Sequence, residues 1–207
     1  VRGEANVNID TCTIGPNNKA NVLGGGILVD KVSTVHIRKS TVENNAADSG
    51  GGIRLQGKAK LYLSDSSEIN NNKAISGGGI SAVDKSHLYV SDTIFQLNNA
   101  TERGGGIMLS HTNCPVEEAK DSSEDSSGNK DGAAVATDTP PATKDTTKYE
   151  ACVSIEKTAF NNNIAGAGGG FFWRYRQPAN KDEYFDFESR DFKSMDCTFN
   201  NNYPTGR

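Results

Sequence analysis

The chain has 207 residues, enough to bury a sizeable core, yet it is polar: 34% hydrophobic, with a mean hydropathy of -0.60. No apolar run is long enough to span a bilayer, which argues against direct membrane insertion of this segment. A net charge of -4 leaves no basic footprint, which argues against nucleic acid as a partner.

From the N-terminus onward the chain repeats one phrase, three glycines and an apolar residue. It reads Gly24-Gly25-Gly26-Ile27, Gly50-Gly51-Gly52-Ile53, Gly77-Gly78-Gly79-Ile80, Gly104-Gly105-Gly106-Ile107 and Gly168-Gly169-Gly170-Phe171. The steps between the apolar residues are 26, 27, 27 and 64. A run of asparagines precedes each triplet: Asn17-Asn18, Asn44-Asn45, Asn70-Asn71-Asn72, Asn98-Asn99 and Asn161-Asn162-Asn163, with a sixth run at Asn200-Asn201-Asn202. Self-similarity at such a period marks a repeat architecture. Val1 enters partway through a unit and Tyr203 stands where the next glycine turn would begin, so the chain reads as a segment of a longer polypeptide.

Within each unit the apolar residues alternate. Val7 and Ile9 lead to Cys12 and Ile14; Val35 and Ile37 to Ser40 and Val42; Leu88 and Val90 to Thr93 and Phe95; Val153 and Ile155 to Thr158 and Phe160. Leu61 and Leu63 match with one extra residue before Ile69, and Phe192, Cys197 and Phe199 close the series. A period of two predicts strands with one apolar face, three short strands per unit, and no helix of useful length. One such unit cannot bury its apolar face alone and must stack on its neighbours. The predicted fold is therefore all-β: a right-handed parallel β-helix, or solenoid, of about six coils of about 27 residues. Like residues of successive coils then form columns, as in Ile27, Ile53, Ile80, Ile107 and Phe171. The glycines permit close backbone approach and positive φ at a corner, and the asparagine amides can bond from coil to coil. The expected structural ladder takes the last asparagine of each run, Asn18, Asn45, Asn72, Asn99, Asn163 and Asn202, with Gly25, Gly51, Gly78, Gly105 and Gly169.

Phe95-Gln96-Leu97-Asn98, Phe160-Asn161-Asn162-Asn163 and Phe199-Asn200-Asn201-Asn202 fit an FxxN motif, and each Gly-Gly-Gly-Ile resembles GGA[I/L/V]. In alternating these motifs the chain resembles the polymorphic outer-membrane proteins of chlamydiae, with glycine in place of the motif's alanine and Val42 and Ile69 in place of Phe. The resemblance implies a β-helical surface adhesin and carries over no catalytic residue, because the motif is structural.

Two insertions interrupt the period. The step of 64 holds 37 residues beyond the repeat, at about residues 114–151, rich in Ser, Thr, Asp, Lys and Pro, a composition that reads as a solvated loop. Cys114 and Cys152 stand at its ends, which predicts a disulfide across its neck and an oxidising compartment. The second insertion, at about residues 174–190, adds 12 residues between Asn163 and Asn202. Both fall between the first and second strands of a unit, on one edge, where binding loops of repeat proteins gather. Trp173, Tyr175, Tyr184 and Phe187 are candidate aromatic anchors there, with Arg174 and Arg176 as polar contacts. The alternative is that these rings pack onto their own coil.

Glycoside hydrolysis on a β-helix would require two facing acids on neighbouring coils. The outward columns, Leu28, Arg54, Ser81, Met108 and Phe172, then Asp30, Gln56, Val83, Ser110 and Arg174, and His36, Tyr62, Tyr89 and Ser154, hold no such pair. No metal-ligand or nucleophile motif is present, and His36, His87 and His111 fall on separate coils, so no cofactor or metal is predicted. Asn99-Ala100-Thr101 is a sequon for N-glycosylation. The reading is a non-enzymatic, extracellular or cell-surface segment 1–207: a rigid stalk, adhesin passenger or fibre component. Its expected partners are proteins or glycans at the cell surface, or further copies of itself. The alternative is a fragment of a polysaccharide-binding or polysaccharide-degrading β-helix enzyme.

Overall fold

The structure, a computed structural model, describes residues 1–111, 152–175 and 192–204. The chain divides into two units, Val1–Pro115 with Ala151–Arg207, and Val116–Glu150; the second lies outside the described residues. Every described element is a strand, and every pairing is parallel. Four sheets result. The first orders Arg2–Gly3, Ile27–Lys31, Ile53–Leu55, Ile80–Asp84, Ile107–His111 and Phe171–Tyr175. The second orders Asn6–Asp10, Thr34–Arg38, Lys60–Ser64, His87–Ser91, Val153–Glu156 and Phe192–Met195. The third orders Thr13–Ile14, Thr41–Glu43, Ser67–Asn70, Thr93–Gln96, Ala159–Asn161 and Thr198–Asn200. The fourth has only Lys73–Ser76, Asn99–Arg103, Ile164–Ala165 and Tyr203–Pro204. The chain visits the sheets in that cyclic order, lap after lap, an architecture consistent with a parallel β-helix.

The fourth sheet corrects the expectation of three strands per unit. Its strands are either polar, as in Asn99-Ala100-Thr101-Glu102-Arg103, or only two residues long, as in Ile164–Ala165 and Tyr203–Pro204, so the period-two signal that announces the other three is missing. They run between the asparagines and the glycine triplet, closely backed by the glycines. A Cβ on Gly78 would lie 2.6 Å from Gly105 O and 2.7 Å from Asn99 O, so a side chain has no room there.

The register places like residues in line. Ile27, Ile53, Ile80, Ile107 and Phe171 are successive partners in the first sheet. Ile37, Leu63, Val90 and Ile155 are partners in the second, and Ile14, Val42, Ile69, Phe95, Phe160 and Phe199 in the third. These columns face one shared core; Ile37, Ile53, Ile69 and Phe95 are fully buried. Phe95, Phe160 and Phe199 stack with centroids 5.0 and 4.7 Å apart, a spacing set by the distance between parallel strands. Residues 112–151 and 176–191 each separate a first-sheet strand from a second-sheet strand, and they lie outside the described residues.

Corners are made by single residues with positive φ. Between the first and second sheets these are Lys31, Gly57 and Asp84. Between the second and third they are Thr11, Lys39, Asp92, Lys157 and Asp196, with the pair Asp65-Ser66 absorbing the extra residue in the Leu61 lap. Between the third sheet and the fourth segment they are Asn17, Asn44, Asn71, Asn162 and Asn201, and once Leu97. The first glycine of each triplet, at φ 61 to 68°, makes the fourth corner. The left-handed region is comfortable for Gly, accessible to Asn and costly for Leu.

Leu97, at φ 56° and half exposed, is therefore the strained member of an asparagine series. Leu97→Asn is expected to raise unfolding free energy by about 1 kcal/mol. Thermal or denaturant unfolding of the two chains checks it; no gain would show that the corner exacts no strain from leucine.

Candidate functional site

The asparagine corner is hydrogen-bonded from lap to lap along the described residues. The Asn18 Nδ2 donates to Asn45 Oδ1 at 2.9 Å, Asn45 to Asn72 at 3.1 Å, Asn72 to Asn98 at 3.1 Å, Asn98 to Asn163 at 3.0 Å and Asn163 to Asn202 at 2.9 Å. Each acceptor oxygen from Asn72 to Asn202 also receives the backbone N–H of the asparagine one lap earlier, at 3.0 to 3.1 Å. The second Nδ2 hydrogen goes to a backbone carbonyl of the preceding lap: Asn45 to Ile14, Asn72 to Val42, Asn98 to Ile69, Asn163 to Phe95 and Asn202 to Phe160. An amide has two donors and two acceptor lone pairs, and all four are used at Asn72, Asn98 and Asn163, each fully buried.

Asn99 is not part of this ladder; Asn98 supplies the rung. The reason is the corner before it. In five laps an asparagine with positive φ precedes the ladder asparagine, whereas here that place belongs to Leu97, so the visible Asn-Asn run is displaced by one. Asn99 instead opens a fourth-sheet strand and is exposed. A spacing of three residues from the stacked apolar residue (Val42, Ile69, Phe95, Phe160, Phe199) finds the rung, and Ile14 needs four because of Gly15-Pro16. Of the glycines assigned to the ladder, Gly25, Gly51, Gly78, Gly105 and Gly169 are the middle members of their triplets. None of the five has positive φ; their part is close approach to neighbouring backbone.

Trp173 requires a correction as well. Its strand partner is Leu109, an inward position, and it packs against the core rather than projecting as an anchor. Alternation with outward Phe172 and Arg174 dictates this. Arg174 is exposed; Tyr175 pairs its backbone with His111; Arg176, Tyr184 and Phe187 lie outside the described residues. So does Cys114, the expected partner of Cys152, which is itself buried. Cys12 and Cys197 precede strands at opposite edges of the six-stranded third sheet, roughly 24 Å apart at the usual strand spacing, and cannot bond to one another. The Cys12 thiol donates to Asp10 O, two residues back, as the Ser40, Thr93 and Thr158 hydroxyls do in their own laps, whereas the Cys197 thiol donates to Ile155 O of the preceding lap.

The outer faces carry features that the sequence reading did not single out. On the second sheet His36, Tyr62 and Tyr89 stack, with centroids 4.6 and 4.7 Å apart and planes within 11°. They occupy one outward register position, which is the signal that could have found them. On the first sheet the Arg54 guanidinium donates to Ser49 Oγ at 2.6 Å and Ser81 Oγ at 2.7 Å. Burial lowers its pKa, against the opposing charge of Asp84. Burial pushes the Asp30 carboxyl up, but the Gln56 side chain, the Lys31 N–H at 2.7 Å and Arg2 at 3.1 Å outweigh it and hold it below the usual carboxylate value. Among the described residues no three His, Cys, Asp or Glu side chains gather to hold a metal ion. No protein-family model, curated protein or solved structure matches the chain.

Asn72, a rung of the ladder, and Asn99, which is not one, provide a direct contrast. Asn72→Ala, which strands a carbonyl and the Asn45 donors in the core, is expected to lower stability by about 3 kcal/mol or more. Asn99→Ala is expected to stay within about 0.5 kcal/mol of the parent. Denaturant unfolding of both variants measures the difference, and equal losses would contradict the assignment of the rung to Asn98.

Proposed function

We propose that this chain is a right-handed β-helix of about six coils that works as a non-enzymatic, extracellular structural and adhesive segment, a rigid stalk carrying binding loops on one edge. The single observation that carries the reading is the continuous amide ladder from Asn18 to Asn202, which ties each lap to the next through both side chain and backbone. Such coupling suits an element that must hold its length and present loops at a distance. Resemblance of the FxxN and glycine motifs to the chlamydial polymorphic outer-membrane proteins supports a place at the cell surface. The two long insertions follow neighbouring first-sheet strands, which supports a common binding edge. Proteins or glycans at the cell surface, or further copies of the chain, are the partners this design fits.

Purified chain applied to glycan arrays and incubated with soluble polysaccharides tests the function. Binding without a fall in polymer length is expected; release of reducing ends above buffer would replace this reading with the polysaccharide-degrading one. The compartment has its own test. A bond between Cys114 and Cys152 is proposed, so peptide mapping without reductant is expected to recover the two in one linked species. Alkylation of Cys114 and Cys152 themselves, beside the free Cys12 and Cys197, in protein from its native source would remove the argument for an oxidising compartment.

A further inference from the structure

Asn99-Ala100-Thr101 is the one N-x-[ST] triplet in the chain, although asparagine is abundant. Asn45, Asn72, Asn98 and Asn163 of the ladder are enclosed, and a sugar on any of them would break a rung. Asn99 differs in three respects. Its side chain is exposed, as is that of Thr101, with Ala100 between them buried at 1%, so acceptor and hydroxyl project from the same outer face of one strand. Its backbone is already satisfied, the N–H donating to Asn72 O at 2.9 Å. Its register position is held by Lys19, Ala46, Lys73, Ile164 and Tyr203 in other laps, side chains with nothing in common, so the scaffold asks nothing of the residue there.

We infer that Asn99 is an acceptor site for an N-linked glycan, displayed on the outer face of the fourth sheet. The Asn99 amide nitrogen attacks the anomeric carbon of a lipid-pyrophosphate-linked oligosaccharide. A C–N bond forms, the C–O bond to the pyrophosphate breaks, the lipid pyrophosphate leaves, and the amide gives up one proton. The Thr101 hydroxyl supplies the recognition element of the triplet. Modification in nature rests on the extracellular reading, since the donor and its transferase meet only exported chains.

The experiment directs the whole chain through the secretory pathway of a eukaryotic host, whatever its native compartment. Electrophoretic mobility is compared before and after peptide-N-glycosidase, and the Asn99 peptide is weighed. One glycan per chain is expected, absent from both Asn99→Gln and Thr101→Ala, with both variants exported at the parent's yield. Parent chain carrying unmodified Asn99 overturns the inference. So does a mobility shift that persists in Asn99→Gln. Chain retained in the host's membranes is read in the same way, so poor export counts against the extracellular proposal and not against the acceptor site.

Discussion

At Asn72, Asn98 and Asn163 the chain leaves its third sheet through an asparagine whose amide has four hydrogen-bonding positions, and the laps on either side occupy all of them. The constraint behind this is the cost of burying polar backbone. A parallel sheet satisfies its own carbonyls and N–H groups, but a corner cannot, because the chain turns out of the ladder. Here the carbonyl three residues ahead of the asparagine, in the preceding lap, and the asparagine's own N–H are the orphans. An inward-facing amide reaches both. Leaving either unpaired in the core costs about 1–3 kcal/mol, a sizeable share of a native stability of about 5–15 kcal/mol.

The remaining corners follow from the same need to turn tightly without filling the interior. One left-handed residue bends the chain, and the composition of each corner reflects how tightly it is packed. Lys, Asp and Thr serve between the second and third sheets, where the side chain can leave for solvent. Only glycine serves at the fourth corner, where φ is positive and a Cβ would collide with the backbone carbonyl of Ile27, Ile53, Ile80, Ile107 or Phe171 in the strand that follows. The outer faces are then at liberty to vary. That is why His36, Tyr62 and Tyr89 can stack on one sheet while Arg54 settles between two serines on another.

Much of this was legible in the residues, and the failures have physical causes. The apolar columns could be read because inward positions repeat both within a strand and between laps, so two periods agree. Trp173 was also readable, since Phe172 and Arg174 face outward and a strand allows its neighbour no other side. Asn99 misled because two asparagine roles, the left-handed turn and the ladder rung, are usually adjacent, and Leu97 took the first of them. The fourth sheet escaped notice because Lys73–Ser76 and its partners gain their place from backbone contact with glycine rather than from an alternating apolar face. Arg176, Tyr184 and Phe187 sit in an insertion that obeys neither period, so no column could locate them.

The central claim is that side-chain amides, and not solvent, complete the backbone at the corner. Amide hydrogen exchange reports on that directly. The backbone N–H groups of Asn45, Asn72, Asn98 and Asn163 donate to side-chain oxygens and belong to no sheet ladder. They are predicted to exchange as slowly as the core strand amides of Ile53 and Ile80. Exchange at the rate of an unprotected peptide at these four positions, with the strands still protected, would contradict the account.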